Sequence, residues 1–95
     1  MMAEEMLKIA QEITMKKSPE EAMKTVMVEY LEKKIAECKE EIQRYEKKYG
    51  MDFREYERRL GKEFSLSYEH EMDYARWGAR LDELEDLELH IGQLK

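Results

Sequence analysis

The residues best suited to chemistry are two pairs of acids, each spaced three residues apart within a predicted helix. Glu37 and Glu40 form one pair, and Glu83 and Asp86 form the other. Residues three apart lie on the same face of a helix, so each pair could offer two carboxylates to a Mg²⁺ ion. A chain with 23 acids among 95 residues produces such pairs by chance, however, and both pairs lie on charged helix faces.

This four-acid pattern is similar to that of magnesium-dependent, all-α nucleotide pyrophosphohydrolases, which are the less favoured enzymatic alternative. His70 and Asp73 are also three apart, but a helical zinc pair needs ligands four apart, and Tyr74 stands at that place. The sequence has no glycine-rich phosphate loop and no paired cysteine and histidine nucleophile. We therefore predict a non-enzymatic protein without catalytic residues, metal or cofactor.

The elements that must position these side chains are long helices. Steps of four and three residues separate the apolar positions of a first stripe: Leu31, Ile35, Cys38, Ile42, Tyr45 and Tyr49. A second stripe, interrupted at Glu88, consists of Trp77, Leu81, Leu84 and Ile91. Such stripes pack one narrow helix face against another. The predicted fold class is all-α: an antiparallel hairpin of long helices, similar to a coiled-coil bundle, with a short connecting helix.

Capping residues and glycines divide this single domain into four helical segments. Ser18 and Pro19 begin the long helix and Gly50 ends it, while Asp52 and Ser67 cap the two helices that follow. The predicted ranges are 1–17 for an N-terminal helix, 18–50 for the long helix, 51–62 for the short helix and 67–93 for the C-terminal helix. Residues 63–67 are predicted to be an extended connector.

Aromatic residues concentrate where the hairpin turns back, and we expect them to fill its wide end. They are Tyr45, Tyr49, Phe53, Tyr56, Phe64, Tyr68, Tyr74 and Trp77. Gly78, next to the tryptophan, marks either a close approach between helices or a tolerated surface glycine. The first half of the long helix is apolar over a broader arc, which is wide enough to cover the N-terminal helix.

The net charge of -6 resides entirely in the C-terminal third. From residue 63 to residue 95 nine acids face three bases, whereas the first 62 residues are balanced. An acidic surface repels nucleic acid and attracts basic partners. A small basic cluster, Arg54, Arg58 and Arg59, is diluted by Glu55 and Glu57, so direct nucleic-acid binding is not expected.

The single cysteine, Cys38, excludes an intramolecular disulfide and suits the reducing cytoplasm. It lies on the first stripe, where we expect a packed thiol. No signal-peptide pattern begins the sequence, and no stretch approaches the roughly 20 apolar residues that span a bilayer. These features predict a cytoplasmic protein with no membrane segment.

Two stretches resemble a recurring prokaryotic pattern. The first, Ile42 to Glu57, contains Lys-Tyr-Gly-Met at 48–51, and the second, Ser67 to Trp77, ends in Asp-Tyr-x-x-Trp before a leucine-rich helix. Over residues 30–95 the chain resembles small, helical, antitoxin-like proteins of bacteria and archaea, thought to be encoded beside a toxin. The resemblance implies a protein that binds and neutralises a cognate toxin, such as a basic toxin of the ribonuclease type.

The acidic C-terminal helix is the predicted partner-binding surface, because its charge would steer a basic protein onto it. Apolar residues of the same helix would serve as anchors. The predicted contact residues are Trp77, Asp82, Glu83, Leu84, Glu85, Asp86, Leu87, Glu88, Ile91 and Leu94. The alternative from a different class is a structural homodimer in which the stripes pair between two chains.

Overall fold

The computed structural model describes the backbone of residues 3–14 and 18–95 and the side chains of residues 3–9 and 18–95. The helices are α1 (Ala3–Thr14), α2 (Pro19–Tyr49), α3 (Phe53–Arg59) and α4 (Tyr68–Leu94). No strand occurs within these ranges, where the all-α prediction is therefore confirmed. The two ends of the predicted helix 1–17, at residues 1–2 and 15–17, lie outside the described residues.

Local capping sets the helix ends. The side chains of Ser18, Asp52 and Ser67 each accept a hydrogen bond from the backbone N–H three residues later, at 3.0, 2.9 and 3.2 Å. Gly50 ends α2 in the left-handed conformation, with φ of 69°. The short helix ends at Arg59, before its predicted end at 62, because the chain turns at Gly61 with φ of 84°.

Helices α2 and α4 pack against each other and run antiparallel, so the predicted hairpin is confirmed. Three ion pairs show how α2 and α4 are aligned, from the end where the hairpin turns, which we call the joint, to its open end. They are Lys48–Asp73 at 2.7 Å, Arg80–Glu41 at 3.8 Å and Lys95–Glu32 at 3.4 Å. Cys38 and Ile42, from the centre of the first stripe, are buried in this contact. The first stripe is thus the inner face of the hairpin.

The core lies at the wide end of the hairpin, around Trp77 and Tyr56, which are both fully buried. The rings of Tyr45 and Tyr49 stack on the indole at centroid distances of 5.6 and 6.1 Å, and Phe53 meets it edge-on at 5.4 Å. Such contacts add to the apolar area that the rings bury. The predicted aromatic packing is therefore present.

Tyr68 does not belong to this core, and its prediction is wrong: it is 79% exposed. The reason is geometric, because Tyr68 precedes Trp77 by nine residues. At about 100° per residue, nine residues amount to two and a half turns, which places the two side chains on opposite faces of α4.

One acid, Asp73 of α4, is buried at the joint, where it forms hydrogen bonds with side chains of α2. Asp73 accepts a hydrogen bond from the Lys48 ammonium at 2.7 Å and another from the Tyr49 hydroxyl. Burial by itself raises the pKa of Asp73, but the hydrogen bonds from Lys48 and Tyr49 outweigh burial and lower the pKa below its usual value. The carboxylate is therefore held in its charged, paired form.

The other half of α2 packs against α1, and its packing is thinner. Ala22 is fully buried, whereas Met27 and Tyr30 are 45% and 58% exposed. On α1, Met6 and Ile9 are also exposed. Helix α1 thus packs against α2 and leaves part of this apolar arc exposed. None of the described helices combines the length and the apolar character that a membrane crossing requires.

Candidate protein-binding site

Four exposed acids of the C-terminal half of α4 form what we call the acidic edge: Asp82, Glu85, Asp86 and Glu88. Glu88 is the residue that interrupts the second apolar stripe, and the other three lie off that stripe. Within the described residues none of these four forms an ion pair. The nearest base on the helix, Arg80, contacts Glu83 at 3.1 Å and Glu41 at 3.8 Å instead. The acidic edge therefore presents uncompensated negative charge to solvent.

A leucine lies in the middle of this charge. Leu89 is 61% exposed, and the acidic edge flanks it along the helix. Leu89 belongs to neither apolar stripe and is therefore not among the predicted contact residues. An apolar residue outside both stripes is the signal in the sequence that could have found it.

Next to the acidic edge, helices α2, α3 and α4 border an open groove with a volume of about 860 Å³. Apolar and small side chains form its floor: Ile42, Phe53, Ala75, Trp77, Gly78, Ala79 and Leu81. Five exposed acids and one base are found along its rim: Glu46, Asp52, Arg54, Glu57, Asp82 and Glu85. Two members of the acidic edge are thus also members of the groove.

The wall of the groove depends on a close approach of α3 to α4. A Cβ atom on Gly78 would lie 3.2 Å from the Phe53 ring, so the glycine marks a close approach. Phe53 in turn stacks on Tyr74 at 5.4 Å. The Tyr74 hydroxyl donates a hydrogen bond of 2.6 Å to Glu57, which raises the pKa of the tyrosine and anchors that carboxylate at the rim.

The predicted contact residues fall into three groups. Trp77 is wrong as a contact residue, because the aromatic core buries it completely. Glu83 is half-buried and contacts Arg80. The four predicted apolar residues are also half-buried: Leu84, Leu87, Ile91 and Leu94. The four acids of the acidic edge are exposed. Among the predicted contact residues, the exposed ones are therefore the charged residues of the acidic edge.

The acid pairs considered for metal binding are not gathered into one site. In the part of the chain that the structure describes, no group of three or more histidine, cysteine or acidic residues is placed to hold a metal ion. Glu37 contacts Lys34 at 3.6 Å, and Glu83 contacts Arg80. His70 lies 2.8 Å from the carbonyl oxygen of Ser65 through its Nδ1 atom.

Comparison with known proteins returns nothing: no family model, no curated protein and no solved structure matches this chain. The class that can be stated from the fold is an all-α helical hairpin with a short third helix packed across its closed end.

Proposed function

We propose that this protein is a non-enzymatic interaction module of the antitoxin type, which binds a basic protein partner in the cytoplasm through α4. The observation that supports the proposal is the acidic edge, whose four carboxylates have no ion-pair partner within the described residues. Charged groups of one sign on an exposed face accelerate encounters with oppositely charged proteins. A ribonuclease-type toxin with a basic substrate surface is the class of partner that this charge would favour.

The position of the acidic edge supports the same proposal. Residues Trp77, Leu81 and Leu84 pack α4 into the core, so the acids are presented on a supported helix. A surface held rigidly before binding loses less entropy when the complex forms. The helix can then occlude a partner's active surface without refolding.

The experiment combines the purified chain with the product of the adjacent gene and measures both complex formation and rescue of growth. The variant Glu85→Gln with Asp86→Asn removes two charges from the acidic edge. The matched variant Glu29→Gln with Glu40→Gln removes two exposed charges from α2. We expect the first variant to slow association several-fold and the second to leave it close to wild type.

Absence of a complex and of growth rescue with the unaltered chain would overturn the antitoxin proposal. Equal effects of the two variants would show that the contact depends on net charge and not on the acidic edge. A structural homodimer is the competing proposal, and the apolar residues Met27 and Tyr30 favour it by their exposure. Sedimentation of the pure chain decides this point, because a strictly monomeric chain excludes the homodimer.

A further inference from the structure

We propose that the groove between α2, α3 and α4 is the docking site for one amphipathic, cationic helix of the partner protein. This inference rests on the proposed function, since both require a basic protein partner, and it adds the place and the chemistry of the contact. It follows from three properties of the groove: its charge, its floor and its length.

The rim is suited to lysine and arginine. Glu46, Asp82 and Glu85 are exposed, and none of them forms an ion pair within the described residues. Glu57 accepts one hydrogen bond, from Tyr74 at 2.6 Å, which leaves further acceptor capacity on the carboxylate. Arg54 is the one base among the described lining residues. Electrostatic complementarity therefore favours a cationic occupant and disfavours an acidic one.

The floor is suited to an apolar helix face. Ala75 and Ala79 are exposed and project little from α4, so a second helix can approach the backbone beside them. Phe53 and Leu81, both half-buried, offer apolar surface beside these small residues. Trp77 lies beneath these residues and is fully buried, so it supports the floor of the groove but offers no surface to an occupant. Apolar contact flanked by charge is the mode by which grooves recognise amphipathic helices.

The length matches a short helix. From Ala75 to Glu85 the groove follows α4 for roughly 15 Å, at about 1.5 Å per residue, which is close to three helical turns. An occupant of this size presents two or three apolar anchors to the floor, with its basic residues directed to the rim.

The test uses a labelled peptide of leucine and lysine arranged with helical periodicity, and a control peptide in which glutamate replaces every lysine. Binding to the full chain is followed by the anisotropy of the label and by the fluorescence of Trp77, the only tryptophan. We expect the lysine peptide to bind and to change the tryptophan emission, and the glutamate peptide to do neither. Binding of both peptides, or of neither, would overturn the inference.

Two double variants separate the groove from the charge in general. Asp82→Lys with Glu85→Lys reverses two rim acids, whereas Asp86→Lys with Glu88→Lys reverses two acids of the same helix outside the groove. Both change the net charge equally. We expect the first to weaken peptide binding about tenfold and the second less than threefold. Equal weakening by the two variants would overturn the inference.

A third variant has opposite expected effects on binding through steric hindrance and through charge. Ala75→Glu places a longer side chain over the groove while making the chain more acidic, and Ala75 is exposed, so the helix should tolerate it. Occupation of the groove predicts weaker binding of the lysine peptide, by about tenfold, whereas attraction by charge alone predicts equal or tighter binding. Circular dichroism of each variant establishes that the fold is retained.

The same variants distinguish this inference from the proposed function. A toxin complex that is weakened by Glu85→Gln with Asp86→Asn, but not by Ala75→Glu, would retain the proposed function and overturn the groove. Specific binding of the lysine peptide in the groove, in a chain that neutralises no toxin, would retain the groove and overturn the antitoxin proposal.

Discussion

The two halves of α2 are packed by different means. Residues 31–49 pack against α4 and against aromatic rings of α3, and we call residues 31–95 the aromatic half. Residues 19–30 pack against α1, and we call residues 3–14 and 18–30 the α1 half. The aromatic half buries Trp77 and Tyr56 completely and pairs Asp73 with Lys48. In the described side chains of the α1 half, Ala22 is the one that is buried, and Met27 and Tyr30 remain exposed.

This difference teaches that one continuous helix can serve two units of unequal stability. Large rings packed around an indole bury far more apolar area than an alanine beneath a twelve-residue helix. Segments with few buried contacts open at lower free energy than the rest of a protein. We therefore expect α1 to separate from α2 while the aromatic half, with its groove and acidic edge, stays folded.

The largest effect is expected from Trp77→Ala. Removing this fully buried side chain leaves a cavity among four aromatic rings and should lower the free energy of unfolding by about 3–5 kcal/mol. Tyr30→Ala is the matched change in the α1 half and should cost less than about 1 kcal/mol, since Tyr30 is mostly exposed. Chemical denaturation followed by circular dichroism measures both. Similar losses in the two variants would contradict the comparison.

A smaller and more local effect is expected from Ala22→Leu. Three added carbons in a fully buried position force α1 away from α2, at a cost of about 1–3 kcal/mol. Amide hydrogen exchange should accelerate in α1 and remain slow in α4. Ala36→Leu adds the same atoms at an exposed position of the same helix and should change neither. If exchange accelerates equally in α4, the two halves are one cooperative unit.

Asp73→Asn tests the ion pair at the joint and its dependence on pH. Because the folded pKa of Asp73 lies below the unfolded value of 3.8, its stabilisation is present above 3.8 and is lost as the pH falls through the folded pKa. At pH 7 the substitution should cost about 1–2 kcal/mol, a modest value because Lys48 remains half-exposed.

The pH series supplies the control for Asp73. Unfolding free energies of the wild type and Asp73→Asn should differ by a constant amount above pH 3.8 and converge only below it, as the pH falls through the folded pKa of Asp73 and the carboxyl group becomes protonated. Asp86→Asn, at an exposed acid, should run parallel to the wild type over the same range. A difference between the wild type and Asp73→Asn that stays constant below pH 3.8 as well would show that the substitution acts by packing and not by charge.

The smallest effects concern two glycines of the aromatic half. Gly50→Ala should destabilise the fold by about 1 kcal/mol, because alanine is strained at φ of 69° although no atom lies within 4 Å of its Cβ. Gly92→Ala, inside α4 and equally free of steric contact, should stabilise it by up to about 1 kcal/mol through helix propensity. Thermal melting compares the two, and shifts of the same sign would contradict the assignment of Gly50 to the end of α2.

The hairpin could be predicted from the sequence because its signals are local and periodic. The stripe through Cys38 and Ile42 fixes which face of α2 is buried, and Ser18, Gly50 and Ser67 fix where the helices begin and end. These patterns act within about one helical turn, so they can be recognised without knowledge of the packing.

The groove could not be predicted, because it arises from contacts between residues far apart in the chain. Phe53 contacts Gly78 only when α3 packs against α4. The spacing of apolar residues in either helix does not predict this contact. Trp77 shows the same limit. The sequence correctly places Trp77 on a stripe. It does not show that the rings of Tyr45 and Phe53 cover the indole, so that no surface of the side chain is exposed to a partner.

The buried position of Cys38 makes the chain's single thiol a reporter of hairpin opening. Burial, and then the nearby charge of Glu83, raises the pKa of Cys38, so the closed hairpin holds the thiol in its protonated, unreactive form. Alkylating reagents attack the thiolate, which becomes accessible when α4 leaves α2. The rate of labelling therefore counts separations of the two long helices, and a partner that clamps α4 in place should slow it.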